Sequence, residues 1–213
     1  MSRPTKNILR IDASMRKSKS VSRRLADDLI ISLGGQTQDV EVVNRDLTCG
    51  IGLVNDAWIA SDRTPEERRT QEQRVLLAQS DALVDELLAA DDIVIAVPIY
   101  NFSVPAAFKA WIDLVCRTGI TFVYENDEPR GLLNGKRAFV VITSGGTVAG
   151  SEIDYSSGYI KHILGFIGIT DITVIDATGL SKDRKKIIAD ASKRIAKLGD
   201  AANNGQRSLS AAE

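Results

Sequence analysis

The apolar run from Ile93 to Val97 stands between Asp91-Asp92 and Pro98. A strand with one wet face alternates polar and apolar residues, whereas a continuous run suits a parallel strand buried on both faces. Four more short segments read as strands: Asn7 to Asp12, Val40 to Val43, Ala138 to Ile142 and Ile172 to Ile175. Between them the apolar spacing becomes helical. Val21, Leu25, Leu29 and Leu33 recur every four residues up to a stop at Gly34-Gly35, and Phe108, Trp111, Ile112 and Val115 mark a helix between Pro105 and Gly119. Tyr159, Ile160, Ile163, Leu164 and Ile167 line a third face, and Ile187, Ile188, Ala191, Ile195 and Leu198 a fourth.

Strands alternating with helices predict an α/β three-layer sandwich. Five strands suit the flavodoxin-like order 2-1-3-4-5, a parallel sheet with helices on both faces; a Rossmann sheet is the rival. Two segments are extra to that frame. Cys49 to Arg74 contains Thr64-Pro65-Glu66-Glu67, a capping-box pattern whose helix would run on through Val75, Leu76 and Leu83 toward Ala90. Ile120 to Gly135 holds a β-like piece, Thr121 to Tyr124, followed by a polar turn. The expected organisation is one domain over 1–202 and a polar tail over 203–213 that frays.

Charge and cysteine usage narrow the function classes. The 27 Lys and Arg against 28 Asp and Glu give a net charge of −1, which argues against a broad basic surface for nucleic acid or anionic membrane. The longest apolar run, Ile93 to Tyr100, is too short to cross a bilayer, and Met1 to Ser14 has no apolar core of a signal peptide. Cys49 and Cys116 lie far apart and His162 is the lone histidine, so no metal site is expected and a reducing, cytoplasmic location is.

In a 2-1-3-4-5 sheet, ligands bind beyond the carboxyl ends of strands one and three, with strand four alongside. Three loops should converge there: Asp12 to Ser22, Pro98 to Pro105 and Thr143 to Ser151. The first is hydroxyl-rich and glycine-free and runs into a helix N-terminus, which suits a terminal monophosphate; its other reading is a solvated loop with Ser20 or Ser22 as N-cap. It is neither a Walker loop nor a Gly-x-Gly-x-x-Gly fingerprint. The second brackets Ile99-Tyr100-Asn101-Phe102 between prolines, either a wall for a planar ring or a turn with core aromatics. The third, Ser144-Gly145-Gly146-Thr147, lets backbone amides approach a ligand edge, or is simply a turn.

Three stretches taken together resemble the FMN-dependent NADH-azoreductases, also described as NAD(P)H-quinone reductases. They are Pro98-Ile99-Tyr100-Asn101-Phe102, Arg117-Thr118-Gly119-Ile120-Thr121-Phe122 and Leu164-Gly165-Phe166-Ile167-Gly168-Ile169-Thr170-Asp171. The resemblance runs from strand one to at least Gly179. It implies one noncovalent FMN per subunit, its phosphate end at Ser14 and Ser20-Val21-Ser22. Its isoalloxazine would meet Ile99, Tyr100, Asn101 and Phe102, with Ser144, Gly145, Gly146 and Thr147 as further contacts. It also implies a homodimer with two sites at the interface, and Phe122 and Phe166 walling the substrate pocket. The third loop departs from the family pattern, in which a residue such as Arg stands between the Ser and the two Gly; here it is one residue shorter.

Because the flavin carries the chemistry, no side chain is expected to be catalytic. The activity implied is two-electron transfer from NADH to quinones and azo compounds, in ping-pong order. The alternatives are an NADPH-dependent flavin reductase and a flavodoxin-type electron carrier. Carriers of that kind tend to be strongly acidic, and this chain is nearly balanced.

Overall fold

Short apolar strands alternate with amphipathic helices along the chain. The computed structural model, which describes residues 6–34 and 40–210 (side chains through 200), folds them in that order. The strands are β1 (Lys6–Asp12), β2 (Val40–Asp46), β3 (Asp92–Pro98), β4 (Phe122–Glu125), β5 (Glu128–Gly131), β6 (Arg137–Thr143) and β7 (Asp171–Ala177). The helices are α1 (Val21–Ser32), α2 (Asp56–Arg63), α3 (Gln71–Ala89), α4 (Ala106–Val115), α5 (Ser157–Phe166) and α6 (Leu180–Ser210).

Five strands form one parallel sheet in the order β2-β1-β3-β6-β7. With the β4–β5 hairpin set aside, this is the predicted 2-1-3-4-5 and not the Rossmann order. The central position of β3 explains its composition. Ile93, Ile95 and Val97 point into a core shared with α3, α4 and α5, while Val94 and Ala96 point into a core shared with α1 and α6. Side chains alternate along a strand, so Ile93 to Val97, between two dry layers, are all apolar, and the buried Asp92 at the strand's start is paired with Lys6 and Arg137.

The extra segments differ in detail from their sequence reading. The helix predicted from a Thr64 capping box starts later, at Gln71. Thr70 accepts from the Gln73 amide at 3.3 Å, and Gln73 Oε1 accepts from the Thr70 amide at 2.9 Å. Thr64 instead closes α2, donating its hydroxyl to the Ala60 carbonyl at 2.8 Å. The physical reason lies in the residues between: from Glu66 to Arg74 there is no apolar side chain to hold a helix against the core, and the buried stripe begins at Leu77. The helix α2, capped by Asn55, has no counterpart in the sequence reading.

Arg117 fastens this region. Its fully buried guanidinium donates to Asp62 of α2 and to Ser80 and Asp81 of α3, and it lies 5.5 Å from the Trp58 ring centroid. The other extra segment closes as a hairpin over a two-residue turn, Asn126-Asp127, with both φ values positive (53° and 63°). Gly131 at its end rests on Gly168. A Cβ at Gly131 would lie 2.0 Å from the Gly168 amide nitrogen, so the hairpin docks on the end of α5 only through glycine.

In α6 the regular helix begins at Asp183, a non-helical residue whose Oδ1 accepts from the Lys186 amide at 3.0 Å. The helix continues to Ser210, past the Asn203 where a tail was expected. Residues 211–213 of that tail, and Gly35 of the predicted helix stop, lie outside the described residues. Among the described residues no helix is long and apolar enough to cross a membrane.

Candidate functional site

Where β1, β3 and β6 end, the chain leaves an open cleft of about 370 Å³. The three loops read from the sequence converge on it. The first supplies Ser14, Arg16, Lys19, Ser20 and Val21, the second Pro98, Ile99 and Tyr100, and the third Thr143, Ser144 and Gly145. A fourth element, the start of α6, adds Leu180, Ser181 and Arg184 and was not read from the sequence. The available signal was the strand order, which sets the end of β7 beside that of β6.

The first loop is bound to its surroundings through Arg23. This guanidinium donates to the Ser14 carbonyl at 2.8 Å, grips both carboxylate oxygens of Asp46 at 2.7 and 3.1 Å, and lies 3.2 Å from Asp12. Asp46 also accepts from the Thr48 amide and hydroxyl, and the Arg23 guanidinium holds its carboxyl well below the usual carboxylate range. Ser20 caps α1 by accepting from the Arg23 amide at 3.3 Å. Ser22 is buried against Ser20, the two hydroxyl oxygens 3.1 Å apart, and does not line the cleft. The amides of Val21 and Ser22 belong to the first turn, which has no intrahelical acceptor. Together with the helix dipole and the cations Arg16, Lys19 and Arg184, they make a donor set that fits a phosphate.

The second loop makes a tight turn in which Tyr100 and Ser103 exchange backbone hydrogen bonds at 2.9 and 3.1 Å. Asn101 (φ 47°) and Phe102 (φ 73°) occupy its centre in the left-handed region. Asn tolerates that conformation; for Phe it costs about 1–2 kcal/mol. The turn leaves Ile99 and Tyr100 on the cleft and carries Asn101 and Phe102 to its tip, where Phe102 is 51% exposed and its carbonyl accepts from the Tyr155 amide at 3.0 Å.

The third loop is held internally. The Ser144 hydroxyl donates to the Thr147 carbonyl and accepts from the Gly179 amide at 2.9 Å. The Leu180 and Ser181 amides donate to the carbonyls of Ser144 and Gly145 at 3.0 and 2.9 Å. Ser144 and Gly145 therefore reach the cleft, whereas Gly146 is exposed beyond it and Thr147 is buried behind it. Phe122 and Phe166 do not line this cleft either. They pack against each other, ring centroids 4.5 Å apart, with Tyr124 edge-on to Phe122.

A family model described as "Flavodoxin-like fold" matches residues 6–198. The chain belongs to this flavodoxin-like family. Within it, the FMN-dependent NADH:quinone oxidoreductase 1 of Colwellia psychrerythraea is 53% identical over 193 residues, 90% of this chain and 100% of the relative. The corresponding enzyme of Hahella chejuensis is 47% identical over 196 residues, 92% of this chain and 96% of that one. Among solved structures, the azoreductase of Bacillus anthracis str. Sterne superposes with a TM-score of 0.84 at 24% identity, covering 92% of this chain and all of that one. An FMN-dependent NADH-azoreductase of Bacillus anthracis str. Ames Ancestor, solved in complex with FMN, gives 0.82 at 21%, over 92% of this chain and 99% of that one. These structural likenesses speak to the fold, and the resemblance to the FMN-dependent NADH-azoreductases and quinone reductases read from the sequence is borne out by the family match and the relatives.

Proposed function

We propose that the cleft holds FMN and that the protein is an oxidoreductase passing two electrons from NADH to quinones and to azo compounds. The observation that carries this reading is one cleft joining a phosphate-fitting helix N-terminus to a wall at Pro98, Ile99 and Tyr100. The relatives named as FMN-dependent NADH:quinone oxidoreductases, up to 53% identical, support the donor, the cofactor and the enzyme class. Bound FMN supplies hydride acceptance and donation, chemistry that no protein side chain offers.

The chain's own residues bind, orient and exclude water. Ser14, Ser20 and the first-turn amides of Val21 and Ser22 hold the phosphate end, with Arg16, Lys19 and Arg184 balancing its charge. Ile99 and Tyr100 would wall the ring system, with Asn101 and Phe102 at the tip of the same turn. Of the 144–147 loop, Ser144 and Gly145 reach the cleft and would offer backbone amides to the ring's polar edge, the loop's shape being held by the Ser144 hydroxyl. Substrates of both half-reactions meet the same face, so the order is ping-pong.

The same reading includes a homodimer and a single domain over 1–202. Phe102 and Tyr155, joined by a backbone hydrogen bond and 51% and 66% exposed, form an apolar rim that a second subunit would cover. In that arrangement Phe122 and Phe166 wall the substrate pocket across the interface. A reducing cytoplasmic location accords with the exposed free thiol of Cys49. Initial rates measured over a grid of NADH and benzoquinone concentrations test the order: parallel double-reciprocal lines support it, and intersecting lines overturn it.

A further inference from the structure

Of the residues that line the cleft, Ser14, Thr143 and Ser144 are both polar and buried. Two of their hydroxyls are engaged within the chain: Ser14 accepts from the Arg16 amide at 3.3 Å, and Ser144 donates to the Thr147 carbonyl and accepts from the Gly179 amide. The Thr143 hydroxyl has no hydrogen-bond partner among the described residues, although the residue is only 5% exposed. Orphaned polar atoms elsewhere, such as Trp111 Nε1 and Ser156 Oγ, are sealed from solvent; the Thr143 oxygen is not, and it opens on the cleft. The fold explains why it stays free. Side chains alternate along β6, so Thr143 shares the face of Phe139 and Val141, toward α1 and α6. Its neighbours in register are Pro98 of β3 and Ala177 of β7, and neither has a hydrogen-bonding side chain. Its carbonyl accepts from the Ile99 amide at 2.7 Å, which fixes the residue beside the Ile99–Tyr100 wall.

A threonine hydroxyl both donates and accepts. An ionised phosphate oxygen only accepts, and the phosphate-fitting end already has Ser14, Ser20, two first-turn amides and the cations Arg16, Lys19 and Arg184 to serve it. A ligand hydroxyl uses both capacities. We propose that Thr143 is a binding residue for the polyol segment of the flavin, the chain of hydroxyls that joins phosphate to ring. The inference rests on the reading that FMN occupies the cleft, and it assigns the stretch between the two ends to a side chain that the rest of the fold leaves unused. A plain structural role makes a different demand: as a β-branched residue closing a strand, threonine could be exchanged for valine without consequence.

The test pairs Thr143→Val, which keeps the shape and removes the hydroxyl, with Thr143→Ser, which keeps the hydroxyl. FMN, riboflavin and lumiflavin, the last without the polyol chain, are each titrated into the flavin-free chain by fluorescence. In Thr143→Val the affinities for FMN and riboflavin should fall together by about three- to tenfold, the worth of one neutral hydrogen bond, while that for lumiflavin holds. Thr143→Ser should restore most of the loss. The Tm of flavin-free Thr143→Val should equal or exceed that of the parent, because no hydrogen bond within the chain is removed. A loss confined to FMN would place the hydroxyl on the phosphate and overturn the polyol assignment. Unchanged affinities for all three flavins would overturn it too, as would an equal loss for lumiflavin, the mark of a repacked cleft. A parent that binds none of the three would overturn the functional reading itself, an outcome distinct from any difference between parent and variant.

Discussion

Arg23 Nη2 donates to the Ser14 carbonyl at 2.8 Å, from the first turn of α1 back to the loop that precedes it. The same guanidinium is anchored on Asp46 at the end of β2. Loop, helix and neighbouring strand are thus one charged assembly directly beneath the phosphate-fitting end of the cleft, and perturbing any member should register at the site.

Asp46 makes that assembly acid-sensitive. Its carboxyl is held below the ordinary range chiefly by the Arg23 hydrogen bond, against a desolvation that pushes the other way. A depressed folded-state pKa contributes stability that is fully present above the unfolded value, about 3.9, and is lost as pH falls below it. Thermal melts followed by circular dichroism should therefore show a drop in Tm from pH 5 to pH 3 that is smaller in Asp46→Asn than in the parent. At pH 7 the variant should be less stable by about 1–3 kcal/mol, the cost of leaving Arg23 short of a partner. Parallel pH profiles would remove the pair from the account.

Ser20→Ala separates capping from cofactor binding. Loss of the cap should cost about 0.5–2 kcal/mol of stability. The affinity for FMN should fall several-fold while that for riboflavin, which lacks the phosphate, stays unchanged. Fluorescence titration with both flavins checks this, and an equal loss for both would place the hydroxyl away from the phosphate.

Phe102 keeps a strained backbone at an exposed tip, where the fold alone would favour glycine. In Phe102→Gly the stability should hold or rise by up to about 1 kcal/mol of relieved strain, read as an unchanged or higher Tm. The KM for benzoquinone should rise, with the NADH half-reaction unaltered. A variant with unchanged quinone kinetics would make the phenylalanine irrelevant to substrate.

Gly131→Ala tests the hairpin docking. Its Cβ would overlap the Gly168 and Ile167 backbone, which cannot swing aside as a side chain does. Overpacking of this kind costs about 1–3 kcal/mol and occasionally more, and urea unfolding should report it. Gly158→Ala, at a helical position with open space around it, should be neutral or stabilising by up to about 1 kcal/mol.

The sheet was legible because burial on two faces leaves a short continuous apolar run rich in β-branched residues and bounded by breakers, as in Ile93 to Val97. The convergence of the three loops followed from strand order and was equally readable. Other features carry weaker signals. Glu128-Pro129-Arg130-Gly131 pairs as a strand with exposed, polar residues and has no β signature of its own. Thr64 and Thr70 both satisfy the capping spacing, and only the buried stripe beginning at Leu77 selects the second. Arg117 opens one of the stretches that carry the resemblance, but its structural role emerges only when α2 and α3 bring Asp62 and Asp81 to it. Arg184 lies far along the chain from the phosphate-fitting loop, and the sheet alone unites them.

The visible spectrum of the FMN-reconstituted protein, followed through an anaerobic NADH titration, tests the central claim most directly. The account predicts that one NADH per bound flavin bleaches the flavin absorbance and that added benzoquinone restores it. Bound flavin indifferent to NADH, or a chain that retains no FMN, would contradict it.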